Sequence, residues 1–170
     1  MLQRCDRHAI MSRETYSVKR EQLDEQYLKK ALELARVAAD RGEVPVGAVL
    51  VYNDRVIAEA YNRREELADA TAHAEMLAIR EACTLLGGWR LSGCTLYVTL
   101  EPCPMCAGAM VQARIDRLVY GTADPKGGAA GTLYDLVRDS RLNHRLEVTS
   151  GILEAECAAV LQDFFRQRRD

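Results

Sequence analysis

The sequence predicts one layered α/β domain built around a mainly buried sheet. Three observations predict it. Apolar residues recur at helical spacing in several segments, short apolar runs of strand length alternate with them, and 170 residues with 48% hydrophobic content suffice for one sizeable core.

The elements follow in order along the chain. Tyr27, Leu28, Ala31, Leu32, Ala35, Ala38 and Ala39 mark a first helix over about 24–41, with Gly42 where a C-terminal capping glycine belongs. The run VGAVLVY at 46–52, a turn at Asn53-Asp54 and RVIAEAY at 55–61 predict a hairpin set into a sheet. Thr71 is placed to N-cap a helix over 72–86, which Gly87-Gly88 ends, and TLYVT at 95–99 reads as a buried strand. Pro102 can open a helix through 113, and a strand follows at 117–120. A glycine-rich loop at 121–131, a short helical stretch at 133–138, a fifth strand at 146–149 and a last helix at 154–168 complete the pattern.

A formal net charge of −2 gives no bulk reason to expect a general nucleic-acid binder, so any RNA contact must be local. No run approaches the ~20 apolar residues of a membrane span, and no secretory signal is present. Six cysteines without that signal suit a reducing, cytoplasmic setting. Residues 1–22 read as a flexible basic extension, with an organelle transit peptide as the alternative and Cys5 a free thiol, and 23–170 as the folded domain. Cys83, Cys94 and Cys157 lie in or beside apolar patterns and are expected to be buried thiols.

The segment TLEPCPMCAG at 99–108 carries two cysteines three apart. Alone, such a pair can be redox-active, half of a structural metal site, part of a catalytic one, or incidental. Cys103 and Cys106 project from one side of a helix's first turn, where free N–H groups and the helix dipole favour thiolate. His73 opens another helix that points to the same edge of the sheet. Two thiolates and one imidazole make a three-ligand zinc set, which leaves a fourth position for water, whereas a structural zinc usually has four protein ligands. His144 is the alternative fourth ligand, although it falls in a loop before a later strand. Glu75, two residues beyond His73, can accept a proton from zinc-bound water.

The pattern His73-Ala74-Glu75, 26 residues and then Pro102-Cys103-Pro104-Met105-Cys106 resembles the signature of the zinc-dependent nucleobase deaminases. Further stretches are similar to their tRNA-specific adenosine deaminase branch: EVPVGAV at 43–49, TAHAE at 71–75, TLYVTLEPCPMCAGAM at 95–110, GGAAGTLYDL at 127–136, NHR at 143–145 and DFFRQRR at 163–169. The resemblance covers residue 24 to the C-terminus and departs at Ala70, where the branch usually has proline. It implies a three-layer α/β/α cytidine deaminase-like fold with a central five-stranded mixed sheet, one Zn²⁺ per subunit, and a homodimer acting on the tRNA anticodon stem-loop. The implied reaction converts wobble adenosine to inosine: a zinc-bound hydroxide attacks C6, while Glu75 shuttles the proton to N1 and then to the leaving amine.

The resemblance also marks substrate contacts. Asn62 offers an amide to a base edge or ribose, the Ala74 N–H lies near the base, and Asp124 can accept from a 2′-OH. Phe165 and Arg168 are suited to stacking and phosphate contact, with Phe164 turned into the core. Two other functions stay open at this point. One is a free-base deaminase acting on guanine or cytosine; the other is an idle zinc-stabilised RNA-binding module.

Overall fold

The structure, a computed structural model, describes residues 13–169, so Cys5 and the start of the basic extension lie outside the described residues. Helix α1 spans Arg13–Asp40, strands β1 and β2 span Gly47–Tyr52 and Arg55–Tyr61, and a short helix α2 spans Arg64–Leu67. Helix α3 (Ala74–Leu86), β3 (Cys94–Leu100), α4 (Pro104–Gln112) and β4 (Arg117–Thr122) alternate. A single 3₁₀ turn η1 (Leu136–Arg138), β5 (Glu147–Ser150) and α5 (Glu154–Gln167) end the chain.

The strands form one mixed sheet in the order β2-β1-β3-β4-β5, with β1 antiparallel to β2 and β3, and β3, β4 and β5 mutually parallel. One face carries Leu50, Leu96, Val98 and Leu118 against Ala78 of α3 and Met110 of α4. The other carries Val49, Tyr97 and Val119 against Leu28 of α1 and Cys157 of α5. This is the expected three-layer α/β/α arrangement. Two glycines permit the close helix–sheet approach on the second face. A Cβ at Gly47 would stand 1.9 Å from the Ala31 carbonyl oxygen, and one at Gly121 would stand 2.5 Å from Cys157 Sγ. The hairpin turn forms where expected: Asn53 and Asp54 both take positive φ, 49° and 56°, as a two-residue type I′ turn requires.

Several boundaries differ from the sequence expectation. Helix α1 begins at Arg13 and runs through the expected start at Asp24. Residues 13–22 bury almost nothing, so apolar periodicity cannot reveal them, yet extending an existing helix costs far less than nucleating one, and Arg, Glu, Lys and Gln supply six of the ten positions. Thr71 does not cap α3; its hydroxyl donates to Asp69 Oδ1 at 2.7 Å, and His73 takes the N-cap position. Helix α4 starts after Cys103, not at Pro102, with Pro104 in its first turn. Cys94 and Cys157 are buried as expected, whereas Cys83 is only partly so. No helix among the described residues is long and apolar enough to cross a membrane.

At the edge where β3 and β4 begin, Asp24 receives both terminal nitrogens of Arg117, each at 2.6 Å, and the Tyr97 hydroxyl at 2.9 Å. Arg117 also donates to Thr149. This buried network joins α1, β3, β4 and β5 through residues up to 93 positions apart.

Candidate metal centre and catalytic cleft

Helix α3 ends before β3 starts, and α4 begins as β3 ends, so both helix N-termini meet at the carboxyl edge of the parallel strands, the usual ligand edge of such sheets. His73 and Cys103 occupy equivalent places: each is an N-cap with extended backbone, φ −72° and −73°, and neither side chain makes a capping hydrogen bond. A capping side chain ordinarily turns to the free N–H groups of the first turn. Here both turn to each other. His73 Nδ1 lies 3.7 Å from Cys103 Sγ and 3.5 Å from Cys106 Sγ.

Those distances suit a metal. Zinc bonds of ~2.3 Å to sulfur and ~2.0 Å to nitrogen, set at tetrahedral angles, place the donor atoms about 3.5 Å apart. Among the described residues this is the cluster of histidine, cysteine and acidic groups able to hold an ion, with all three donor atoms within 4.8 Å of one another. His144 does not belong to this cluster, and its Nε2 is engaged with the Ile115 carbonyl at 2.6 Å.

Electrostatics matches the geometry. Hydrogen bonds from Cys106 and then from His73 draw the Cys103 pKa down to about 4 against the effect of burial. Cys106, bonded to Cys103 and buried, is pushed up, so the pair shares one proton. Contact with a divalent cation would remove it. The bond to Cys103 raises His73. Glu75, 4% exposed, is lifted by burial to about 7, which makes it a group that exchanges a proton at neutral pH.

A cleft of about 110 Å³ opens on this cluster, lined by Asn62, His73, Ala74, Glu75, Cys103 and Asp124. Asn62 is 5% exposed; its Nδ2 donates to the Val44 carbonyl at 3.3 Å, while its Oδ1 is buried without a partner. A buried carbonyl oxygen left unbonded is costly and uncommon, so the wall presents an acceptor to whatever enters. The Ala74 N–H is the first of α3 and has no partner within its helix. The cleft meets a broader groove of about 1000 Å³, lined by Asp124, Lys126, Phe165 and Arg168, with Val44, Leu100 and Asp124 shared between the two. Eight of the nine residues singled out from the sequence therefore line one cleft and its adjoining groove, and the ninth, Cys106, is buried against His73. Phe164 packs inward at 6% exposed and Phe165 stays 44% exposed. Arg168 is partly committed elsewhere, donating to the Gly42 carbonyl and lying 4.3 Å over the Phe164 ring.

Sequence reasoning missed two buried carboxylates. Glu43 accepts the amides of Glu65 and Glu66 and so holds α2. Glu101 accepts four donors from the 124–132 loop. Neither lies near its partners in sequence, though Glu101 inside an otherwise apolar strand end is the kind of buried charge that demands a partner. At Ala70, the loop keeps its shape through Asp69, whose Oδ1 takes the Thr71 amide at 2.8 Å.

Comparison with known proteins agrees with this geometry. The MafB19-like deaminase family matches residues 23–169. The tRNA-specific adenosine deaminase of Bacillus subtilis is 57% identical over 146 residues, covering 86% of this chain and 91% of its own. A structure solved in a study of A-to-I editing by tRNA:A34 deaminases superimposes with a TM-score of 0.78 at 51% identity, over 80% of this chain and 99% of that one. A guanine deaminase from Nitrosomonas europaea is more distant, with a TM-score of 0.71 at 25% identity over 82% and 83% of the two chains. The cluster, the cleft and these likenesses converge: the chain belongs to the tRNA-specific adenosine deaminase family.

Proposed function

We propose that the protein hydrolyses adenosine to inosine at the wobble position of a tRNA anticodon stem-loop. The observation that carries the reading is a buried carboxyl, Glu75, lining one cleft with His73 and Cys103, whose donor atoms cluster with that of Cys106. His73 Nδ1 and the two sulfurs would hold one Zn²⁺ per subunit. When bound, zinc supplies the Lewis acidity that makes a water acidic near neutral pH.

The chain's own groups account for the proton movements. Glu75 takes a proton from the attacking water and gives it to N1 of adenine as the C6–O bond forms; it then takes the remaining proton of the new C6 hydroxyl and passes it to the amine, so the C6–N bond breaks, the C6 carbonyl forms and ammonia leaves. A pKa near 7 lets one carboxyl act as base and then as acid. Asn62 Oδ1 accepts from a base edge or ribose hydroxyl, and the Ala74 N–H donates to the base. Asp124 accepts from a 2′-OH, which favours RNA over DNA. Phe165, exposed on the adjoining groove, offers a ring to a flanking base, and Arg168 a charge to a phosphate.

The domain proper is 23–170, where the family match begins, and 1–22 is an appended basic segment whose residues 13–22 continue α1. The family resemblance supports a cytoplasmic homodimer, to be checked by sedimentation.

The test is inosine formation by the zinc-loaded protein on an RNA anticodon stem-loop with adenosine at the wobble position, beside free adenosine, guanine and cytosine. Inosine in the stem-loop alone is expected. Turnover of a free base in its place would transfer the same cleft to small-molecule deamination.

A further inference from the structure

The wall of the cleft that carries Asp124 is a loop with little regular structure, and its inward-facing amides need acceptors. A single side chain supplies them. Glu101 Oε2 accepts the Asp124 amide at 3.0 Å and the Thr132 hydroxyl at 2.5 Å. Its Oε1 accepts the amides of Ala130 and Thr132, each at 3.0 Å. An ionised carboxylate offers about four lone-pair sites, and the loop fills them. Glu101 is 2% exposed and has no acceptor capacity left for a metal, a water or a substrate.

The loop lies directly on the carboxylate. A Cβ at Gly128 would stand 2.3 Å from Glu101 Oε2 and 2.7 Å from the Asp124 carbonyl, so only glycine allows this approach. Asp124 in turn bends the chain locally, its Oδ1 taking the Lys126 amide at 2.9 Å.

We propose that Glu101 is a positioning residue for the RNA substrate: it fastens the 124–132 loop so that Asp124 stands at the mouth of the cleft. The inference rests on the stem-loop reading above. Its chemistry is distinct from that of Cys103 two residues on, because Glu101 acts through the donors of the loop and not through the reacting atoms. A fastener for the substrate wall affects how the stem-loop is held more than how fast the bound base reacts.

The experiment is steady-state deamination of the RNA stem-loop by the zinc-loaded parent, Glu101→Gln and Thr132→Val, with zinc content and thermal midpoint recorded for each. Glu101→Gln turns an NH₂ group toward amides that need an acceptor and is expected to raise KM about 10-fold or more, with kcat within about threefold and one zinc retained. Thr132→Val removes one donor from an exposed position and is expected to raise KM about threefold. A parental KM in both variants overturns the inference, as does a loss of zinc in Glu101→Gln, which would route the effect through Cys103. Should Glu101→Gln not fold, Thr132→Val decides alone, and a parental KM there overturns it. Absence of stem-loop turnover in the parent refutes the functional reading and this inference with it; turnover in the parent with unchanged variants refutes the inference alone.

Discussion

The two edges of the sheet use the same kinds of residue to opposite ends. Where β3 and β4 begin, Asp24, Tyr97 and Arg117 are buried and bonded to one another and to the partly buried Thr149; Arg117 Nε alone lacks a hydrogen bond, and Glu147 lies 3.6 Å from it. Where those strands end, Asn62 Oδ1 is buried with no partner, burial lifts the Glu75 carboxyl to about 7, and two N-cap side chains are turned toward each other. Charge that is closed on itself holds a fold. Polar groups left open at a ligand edge await a substrate or an ion.

Substitutions can break this contrast, and the largest effect is expected at the open edge. Glu75→Ala should lower deamination of the stem-loop by about 10²- to 10⁴-fold, with thermal stability unchanged or raised, since a buried carboxyl is removed; a rate assay beside a melting curve checks both. At the closed edge the effect reverses in kind. Asp24→Ala leaves Arg117 buried without its counter-charge and should destabilise the fold by about 3 to 5 kcal/mol, measured by urea unfolding. Its folded fraction should keep the parental kcat, whereas a loss of kcat would show that the two edges are coupled.

Smaller effects sharpen the same division. Asn62→Ala should lower kcat/KM by about 3- to 10-fold, with a modest fall in melting temperature, because it also removes the Nδ2 bond to the Val44 carbonyl. Metal removal separates the thiols. Chelation should abolish turnover and let an alkylating reagent reach the half-buried Cys103, while Cys94 and Cys157 stay unmodified at pH 8. Burial excludes the reagent from those two and lifts their pKa values to about 11 and about 12. Peptide mass spectrometry with and without zinc reads this directly.

What was legible in the sequence follows from the range of the interactions. His73, Glu75, Cys103 and Cys106 announce themselves by spacing within one helical turn, and the strands by short apolar runs, so the ligand set and the sheet could be placed before any contact was known. The N-terminal half of α1 was hidden because its few apolar residues, such as Tyr16 and Val18, are exposed and set at no helical spacing, so no apolar stripe marked it. Glu43 and Glu101 were hidden for another reason. Their partners are backbone amides 22 to 31 positions away, and backbone donors leave no trace in residue identity. Asp24 and Arg117, 93 apart, are the extreme case of a pairing that only the folded chain reveals. Thr71 misled because Asp69, two residues earlier, competes for its hydroxyl.

The most direct test measures both quantities on two variants at once: the rate of inosine formation in the RNA stem-loop and the free energy of unfolding, for Glu75→Gln and for Asp24→Asn. The account predicts that Glu75→Gln loses the reaction and keeps its stability, while Asp24→Asn loses stability and keeps the reaction in its folded fraction. Stem-loop turnover that survives in Glu75→Gln would contradict it, because the cleft would then be deaminating without the carboxyl assigned to move the proton.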